Sequence, residues 1–321
     1  KKYFRNHRMP LVPSKLGYYD LSDIKSIQRV CKYSLEKGID GFGYWHYWFG
    51  DGKQTLEKVP EMHLSDLSNK QNFFFAWANT SWTKSWQGDD STIIFNQEYS
   101  KKSAINHFAY LRKFLSDNRY VRYKSKPIFQ VLNPDDEGLF EHISIIEDLA
   151  ITEFGQGLYW LFPCAVDKSI FMDFDYSIVG YPPGSYTKED FFLKLKKKLI
   201  DSGILNGPLV ISEKKYLSLF EDKLKEQLLD QNFFPCLLSG WDNTPRYKER
   251  GFLIDAKIST LLNKQFDILF DSFTFSKEQD IIFIKAWNEW AEGNVIEPYT
   301  VEGVTDDPSS LIIDFKNKFS K

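Results

Sequence analysis

The chain has 321 residues, enough for one large domain or two small ones with a sizeable core. Its 41 Lys plus Arg stand against 44 Asp plus Glu, a net charge of -3 with no long block of one sign, which argues against a nucleic-acid partner. No apolar run reaches the ~18 residues that span a bilayer, and the three distant cysteines, Cys31, Cys164 and Cys236, read as buried thiols of a reducing, cytoplasmic compartment rather than as a disulfide framework.

Asp20-Leu21-Ser22-Asp23 reads as a helix start, with an Asp cap and an acidic first turn. Ile24, Ile27, Val30 and Cys31 follow at helical spacing, and Gly38 closes the element. Residues 39–49 form a β-prone aromatic run that ends in the turn Gly50-Asp51-Gly52. The alternation then repeats, with strands expected over 73–78, 127–132, 157–162, 175–179, 234–238 and 281–287. Helices are expected over 104–115, 139–154, 188–200, 214–229 and 254–269. Short apolar strands alternating with longer helices predict parallel βαβ units covered on both faces, and no linker-like change in composition interrupts them. The expectation is one α/β catalytic domain over residues 1–321, a (β/α)₈ TIM-type barrel. Seven strands are found where eight are needed, and the chain opens on an irregular basic segment and a helix, so the first strand is expected upstream of Lys1. A doubly wound open sheet is the alternative, but no glycine-rich phosphate loop follows a strand, and Gly50-Asp51-Gly52-Lys53 reads as a turn.

The aromatic content of 17% includes nine Trp, and eight of these fall in short blocks that follow strands: Trp45 and Trp48; Trp77, Trp82 and Trp86; Trp241; Trp287 and Trp290. In a (β/α)₈ barrel the active site is built at the C-terminal strand ends. Those ends carry Tyr44, His46, Tyr47 and Trp48, then Trp77, Asn79 and Trp82, then Asn133-Pro134-Asp135-Asp136, then Tyr181-Pro182-Pro183, then Trp241, Asp242 and Arg246, then Asn288, Glu289, Trp290 and Glu292. Aromatic rings stack on the C–H faces of sugars, and amides and carboxylates bond their hydroxyls, so the expected partner is an oligo- or polysaccharide. Glu289 and Glu292 share one side only if the strand ends near Asn288 and a turn follows. A carboxylate pair flanking a bond is what glycoside cleavage needs. The competing reading gives Glu289 a backbone partner and Glu292 to solvent. His46 reads equally as a sugar ligand or a structural residue, Asp242 and Arg246 as ligand contacts or a loop-fixing pair, and Glu297 as a sugar contact or an exposed loop position. Trp290 is placed to shield one glutamate and raise its pKa.

The segments LGYYDLSD, GIDGFGYWHYWF, FAWANTSWTKSWQG, KPIFQVLNP, GWDNTPR and AWNEWAEGNVIEP resemble, in order and over residues 16–298, the bacterial WbsX-type domain. That domain is known as a lipopolysaccharide-biosynthesis glycosyltransferase and is similar to glycoside hydrolase family 99. The resemblance implies a (β/α)₈ barrel and a retaining, endo-α-mannosidase-like chemistry in bacterial surface polysaccharide metabolism. By the same resemblance Glu289 deprotonates the sugar 2-hydroxyl, giving an anhydro-sugar intermediate, and Glu292 acts as general acid and then base. The sequence departs from the family pattern at Thr80, where Glu is expected, and at Leu132-Asn133-Pro134, where Tyr-Arg-Pro is expected; the usual Tyr-Gly-Tyr-rich tail after Pro298 is also not recognisable.

No cofactor and no metal are expected, since the five His are scattered along the chain and no ligand spacing recurs. The alternative enzyme is a nucleotide-sugar glycosyltransferase, for which Asp173-Phe174-Asp175 is a D-x-D candidate to hold a divalent cation, at the wrong end of a strand. A non-catalytic glycan-binding protein is the third reading.

Overall fold

The computed structural model describes residues 2–4, 7–50, 52–84, 91–163, 173–180, 190–228, 232–272 and 281–319. They divide into two units, Asp20–Ile178 and a second made from Lys1–Tyr19 with Val179–Lys321.

In Asp20–Ile178, the Asp23 side chain accepts the backbone N–H groups of Lys25 and Ser26 and so caps α1 (Ile24–Glu36). The chain leaves the helix through Gly38, at φ +85°, a left-handed position that glycine takes without a steric penalty. It then enters β1 (Gly41–Trp48). The order continues as α2 (Lys58–Ser65), β2 (Asn72–Trp77), β3 (Trp82–Thr83), β4 (Ile93–Phe95), α3 (Lys101–Leu115, capped by Ser100), β5 (Lys126–Val131), α4 (Leu139–Phe154), β6 (Tyr159–Pro163) and β7 (Tyr176–Val179). The pairs β1–β2, β2–β5 and β5–β6 are parallel, with His46 opposite Trp77 and Trp77 opposite Val131. β2, β5 and β6 read as largely apolar runs because both their faces are covered, and Phe73, Phe75, Trp77, Phe129, Trp160 and Phe162 are fully buried, whereas β1 leaves Gly43 and Trp45 exposed.

The other unit continues with α5 (Phe191–Asp201), β8 (Leu209–Ser212), α6 (Glu213–Gln227), β9 (Cys236–Leu238), α7 (Thr244–Tyr247), β10 (Phe252–Asp255), α8 (Ile258–Ser272) and β11 (Phe283–Lys285). It closes with β12 (Asn288–Glu289), β13 (Asn294–Val295), β14 (Tyr299–Val301), β15 (Val304–Asp306) and α9 (Ser310–Phe319). Two differences from the sequence reading stand out. Leu209–Ser212 is a strand, paired in parallel with Phe252–Asp255, so residues 252–255 belong to β10 and α8 begins at Ile258 rather than at 254. The last parallel strand is also short, spanning Phe283–Lys285, because the chain turns away after it to build the β12–β13 hairpin.

The fold is thus mixed α/β with a mostly parallel sheet. Among the described residues its strands form one mostly parallel run, a three-stranded antiparallel sheet and several separate pairs, and a closed ring of eight is not traced. No helix among them is long and apolar enough to cross a membrane. Cys31 and Cys236 are buried thiols, and Cys164 lies outside the described residues, as do Trp86 and Tyr181-Pro182-Pro183.

Candidate active site

Strands β9 and β11 run parallel, with Cys236 opposite Phe283 and Leu238 opposite Lys285. The segments leaving their C-terminal ends therefore emerge side by side, and they are stitched together. The Asp242 N–H donates to the Glu292 carbonyl at 2.6 Å, and Asn294 Nδ2 donates to the Gly240 carbonyl at 2.6 Å. Gly293 sits at φ +57°, and a Cβ there would lie 3.1 Å from the Asp242 Cβ, so both the turn and the close approach call for glycine.

Within this frame β12 and β13 pair antiparallel, joined by a single 3₁₀ turn over Trp290–Glu292. The turn puts positions 289 and 292 on one side, and both carboxylates reach the same guanidinium. Arg246 Nη2 donates to Glu289 Oε1 at 3.4 Å, and Nη1 donates to Glu292 Oε1 at 3.1 Å. The three side chains are 33% (Glu289), 18% (Glu292) and 21% (Arg246) exposed, so they are held yet open to a ligand. Burial, and then the negative charge of Glu292, raise the Glu289 carboxyl above the usual range; Arg246 and Lys285 pull the other way. Lys285 Nζ lies 5.1 Å from the Trp241 ring centroid, and Trp241 stacks on Phe252 at 5.4 Å.

The expected Asp242–Arg246 pair is replaced by another division of labour. Asp242 Oδ2 contacts His7 Nε2 at 2.6 Å, while its Oδ1 accepts the Thr244 N–H and hydroxyl at 2.9 and 2.6 Å. Asp242 fixes the loop, and Arg246 bonds the two glutamates. Glu297 is neither exposed nor placed to meet a ligand directly: it is fully buried, and its two oxygens accept Tyr19 Oη at 2.6 Å and Trp290 Nε1 at 3.2 Å. Burial pushes its carboxyl up to about 7 against the pull of Tyr19, Trp287 and Trp290. The Trp290 indole N–H therefore serves Glu297 and not Glu289 or Glu292. Asn288 Nδ2 donates to Tyr19 Oη at 3.0 Å.

The remaining candidates belong to Asp20–Ile178. Tyr47 and Trp82 are half-buried and stack at 5.4 Å with an interplanar angle of 15°, and Phe49 and Phe95 extend the stack. These rings form an aromatic platform of the kind a sugar face covers. Tyr44 is half-buried, with its hydroxyl on His63 Nδ1 at 2.8 Å. Trp48, Trp77 and Asn79 are buried supports rather than exposed ligand contacts. Trp77 Nε1 donates to the Trp48 carbonyl, Trp48 Nε1 to Ser103 Oγ, and Asn79 Nδ2 to the Asn133 carbonyl.

His46 is 3% exposed and structural. Its Nε2 meets His107 Nε2 at 2.8 Å, and His107 Nδ1 meets His142 Nε2 at 3.1 Å. Histidines that are scattered in the sequence thus form a row, in which each nitrogen pair shares one proton. Burial holds His46 down at about 3 and His142 at about 4, and keeps His107 well below the usual value. Among the described residues no group of three or more His, Cys, Asp or Glu is arranged to hold a metal ion. In the D-x-D segment, Asp175 is ion-paired to Lys126.

A cleft of about 600 Å³ in the same unit is lined by Thr80, Ser81, Tyr99, Asn133 and Asp136, among others. Two of the positions that depart from the family pattern, Thr80 and Asn133, therefore face one cavity. Sequence reasoning missed His7, Tyr19, His107 and His142; only Tyr19 carried a signal, as part of LGYYDLSD.

A family model described as Glycosyltransferase WbsX matches residues 1–305. The chain is 25% identical over 307 residues to "Uncharacterized protein WxcX" from two strains of Xanthomonas campestris pv. campestris. That alignment takes in 92% of this chain but 42% of each relative, so the chain spans less than half their length. Among solved structures, a "Glycoside hydrolase-like protein" superposes with a TM-score of 0.60 at 12% identity, over 99% of this chain and 92% of that one. The GH99 endo-alpha-mannosidase from Bacteroides thetaiotaomicron superposes with a TM-score of 0.60 at 13% identity, over 97% and 85%. At these identities the likeness is one of fold.

Proposed function

The chain belongs to the WbsX glycosyltransferase family, with a fold like that of GH99 proteins, and on that premise we propose that it is a carbohydrate-active enzyme that cleaves or transfers glycosidic bonds by a retaining, two-glutamate mechanism on a bacterial surface polysaccharide. The closed (β/α)₈ barrel and the single catalytic domain belong to the same proposal; the fold shared with the glycoside hydrolase-like protein supports them. The observation that carries the mechanism is the grip of one guanidinium, Arg246, on both Glu289 and Glu292.

In the first step the Glu289 carboxylate takes the proton of the sugar 2-hydroxyl while O2 bonds to C1. The bond from C1 to the leaving oxygen breaks, and Glu292 gives that oxygen its proton. In the second step Glu292 takes a proton from water or from an acceptor hydroxyl, whose oxygen bonds to C1. The C1–O2 bond then breaks and O2 recovers its proton from Glu289. Water as acceptor gives hydrolysis, and a sugar hydroxyl gives transfer. The half-buried Tyr47–Trp82 platform supports a glycan as the ligand.

The test compares Glu289→Gln and Glu292→Gln on a natural mannan oligosaccharide and on an activated aryl α-mannobioside. Losing general acid–base assistance costs on the order of 10²–10⁴ in rate. Glu292→Gln should lose most on the natural oligosaccharide and least on the aryl glycoside, whereas Glu289→Gln should be rescued by neither leaving group. Turnover at the wild-type rate by either variant would end the two-glutamate reading. The family description favours a second reading, in which a nucleotide sugar is the donor; activity that appears only with a nucleotide sugar would select it.

A further inference from the structure

Glu289 is bracketed by two side chains that lead to one buried group. On one side Asn288 Nδ2 donates to Tyr19 Oη at 3.0 Å, and Tyr19 Oη donates to Glu297 Oε1 at 2.6 Å. On the other side Trp290 Nε1 donates to Glu297 Oε2 at 3.2 Å. The backbone closes the same circuit: the N–H groups of Ile296 and Glu297 both donate to the Trp287 carbonyl, at 3.0 and 3.3 Å, and Asn288 pairs with Val295. Residues 288 and 290 are thus anchored to residue 297, and residue 289 lies between them.

Glu297 has no exposed surface, and a fully buried carboxylate is costly. A hairpin that only needed to fold has no use for one. What a carboxylate supplies, and an amide cannot, is an acceptor at each oxygen. Tyr19 Oη and Trp290 Nε1 are both donors here. A glutamine would oppose its own N–H₂ to one of them, whichever way the amide is turned.

We infer that Glu297 is a positioning residue, whose buried carboxylate sets, through Trp290 on one side and through Tyr19 and Asn288 on the other, the direction in which Glu289 leaves the turn toward Arg246. The inference rests on the reading of Glu289 as a catalytic residue.

The test uses the full chain with Glu297→Gln and Tyr19→Phe, the second keeping the carboxylate and removing one donor. Two quantities are read: the titration of the Glu289 carboxyl carbon by ¹³C NMR, and kcat and KM on the aryl α-mannobioside. A displaced Glu289 lies at a new distance from Arg246, so its titration should move by ~0.5 unit or more in both variants. A misplacement of a fraction of an ångström to 1 Å should lower kcat by about 10–100-fold, with KM within about twofold of the wild type. If Glu297→Gln melts far below the wild type, Tyr19→Phe alone decides. A Glu289 titration unchanged in the folded variants overturns the inference, whatever the activity. By contrast, wild-type turnover by Glu289→Gln would overturn the catalytic reading and leave the NMR result to judge the clamp.

Discussion

Replacing Arg246 by Met should change the proton affinity of the glutamate pair more than it changes the fold. The guanidinium stands 3.4 Å from Glu289 Oε1 and 3.1 Å from Glu292 Oε1. At an effective dielectric of ~20, each contact corresponds to about 5 kcal/mol of gross Coulomb energy. Water reaches all three side chains, so most of that sum is screened or offset by desolvation. What survives is the ordinary effect of a cation beside a carboxylate, about 1–3 pKa units. Glu289 is already raised by burial and by the charge of Glu292, and Arg246 is the first force acting against them. Without it Glu289 should keep its proton up to a higher pH. The acid limb of the pH profile of kcat/KM should therefore move up by about 1–3 units, with activity recovered on the alkaline side. Arg246→Lys keeps a charge but not the two-pronged grip, so its shift should be smaller while kcat still falls. The assay is the pH–rate profile of the three proteins, backed by ¹³C titration of the glutamate carboxyls. If the Met variant's carboxyls titrate within ~0.3 unit of the wild type, Arg246 does not govern the pair and the argument from geometry fails.

Trp82→Ala should weaken binding of a mannan oligosaccharide by about five- to tenfold, the worth of one aromatic contact of order 1 kcal/mol; titration calorimetry showing unchanged affinity would remove the platform from the binding surface. The histidine row predicts acid sensitivity. His46 and His142 have folded-state values of about 3 and about 4 against a usual 6.5, so the stability they contribute is present above pH 6.5 and is lost as pH falls toward 4. The loss should be on the order of 5 kcal/mol for the two together; urea midpoints that stay flat between pH 7 and 4.5 would contradict a buried, neutral row. Finally, the two-glutamate chemistry needs no divalent cation, so prolonged treatment with a chelator should leave turnover intact, and activity restored only by added manganese would favour the nucleotide-sugar transferase instead.

Local chemistry sufficed for several of the parallel strands and helix starts. Strands expected at 73–78 and 127–132 are found as Asn72–Trp77 and Lys126–Val131. A strand covered on both faces must be apolar at nearly every position, and that leaves a mark in one dimension. The helix start expected at 20–23 is also found, with Asp23 as the cap but without the expected acidic first turn, because a cap needs only its own next turn. Leu209–Ser212 escaped notice because three apolar residues and a serine carry no period of their own. They become a strand by pairing with Phe252–Asp255, some forty residues on.

The same boundary runs through the candidate site. Glu289 and Glu292 stand out in the sequence because two carboxylates directly behind an apolar strand need a reason. Their common partner does not stand out, since Arg246 reaches them only after β9 and β11 align. Glu297 and His46 show the limit most clearly. A glutamate before proline and a histidine among aromatics look the same in a sequence whether they face water or interior. Only the packing of Tyr19 and Trp290 onto one, and of His107 onto the other, decided it, because burial is a property of what the rest of the chain places around a side chain.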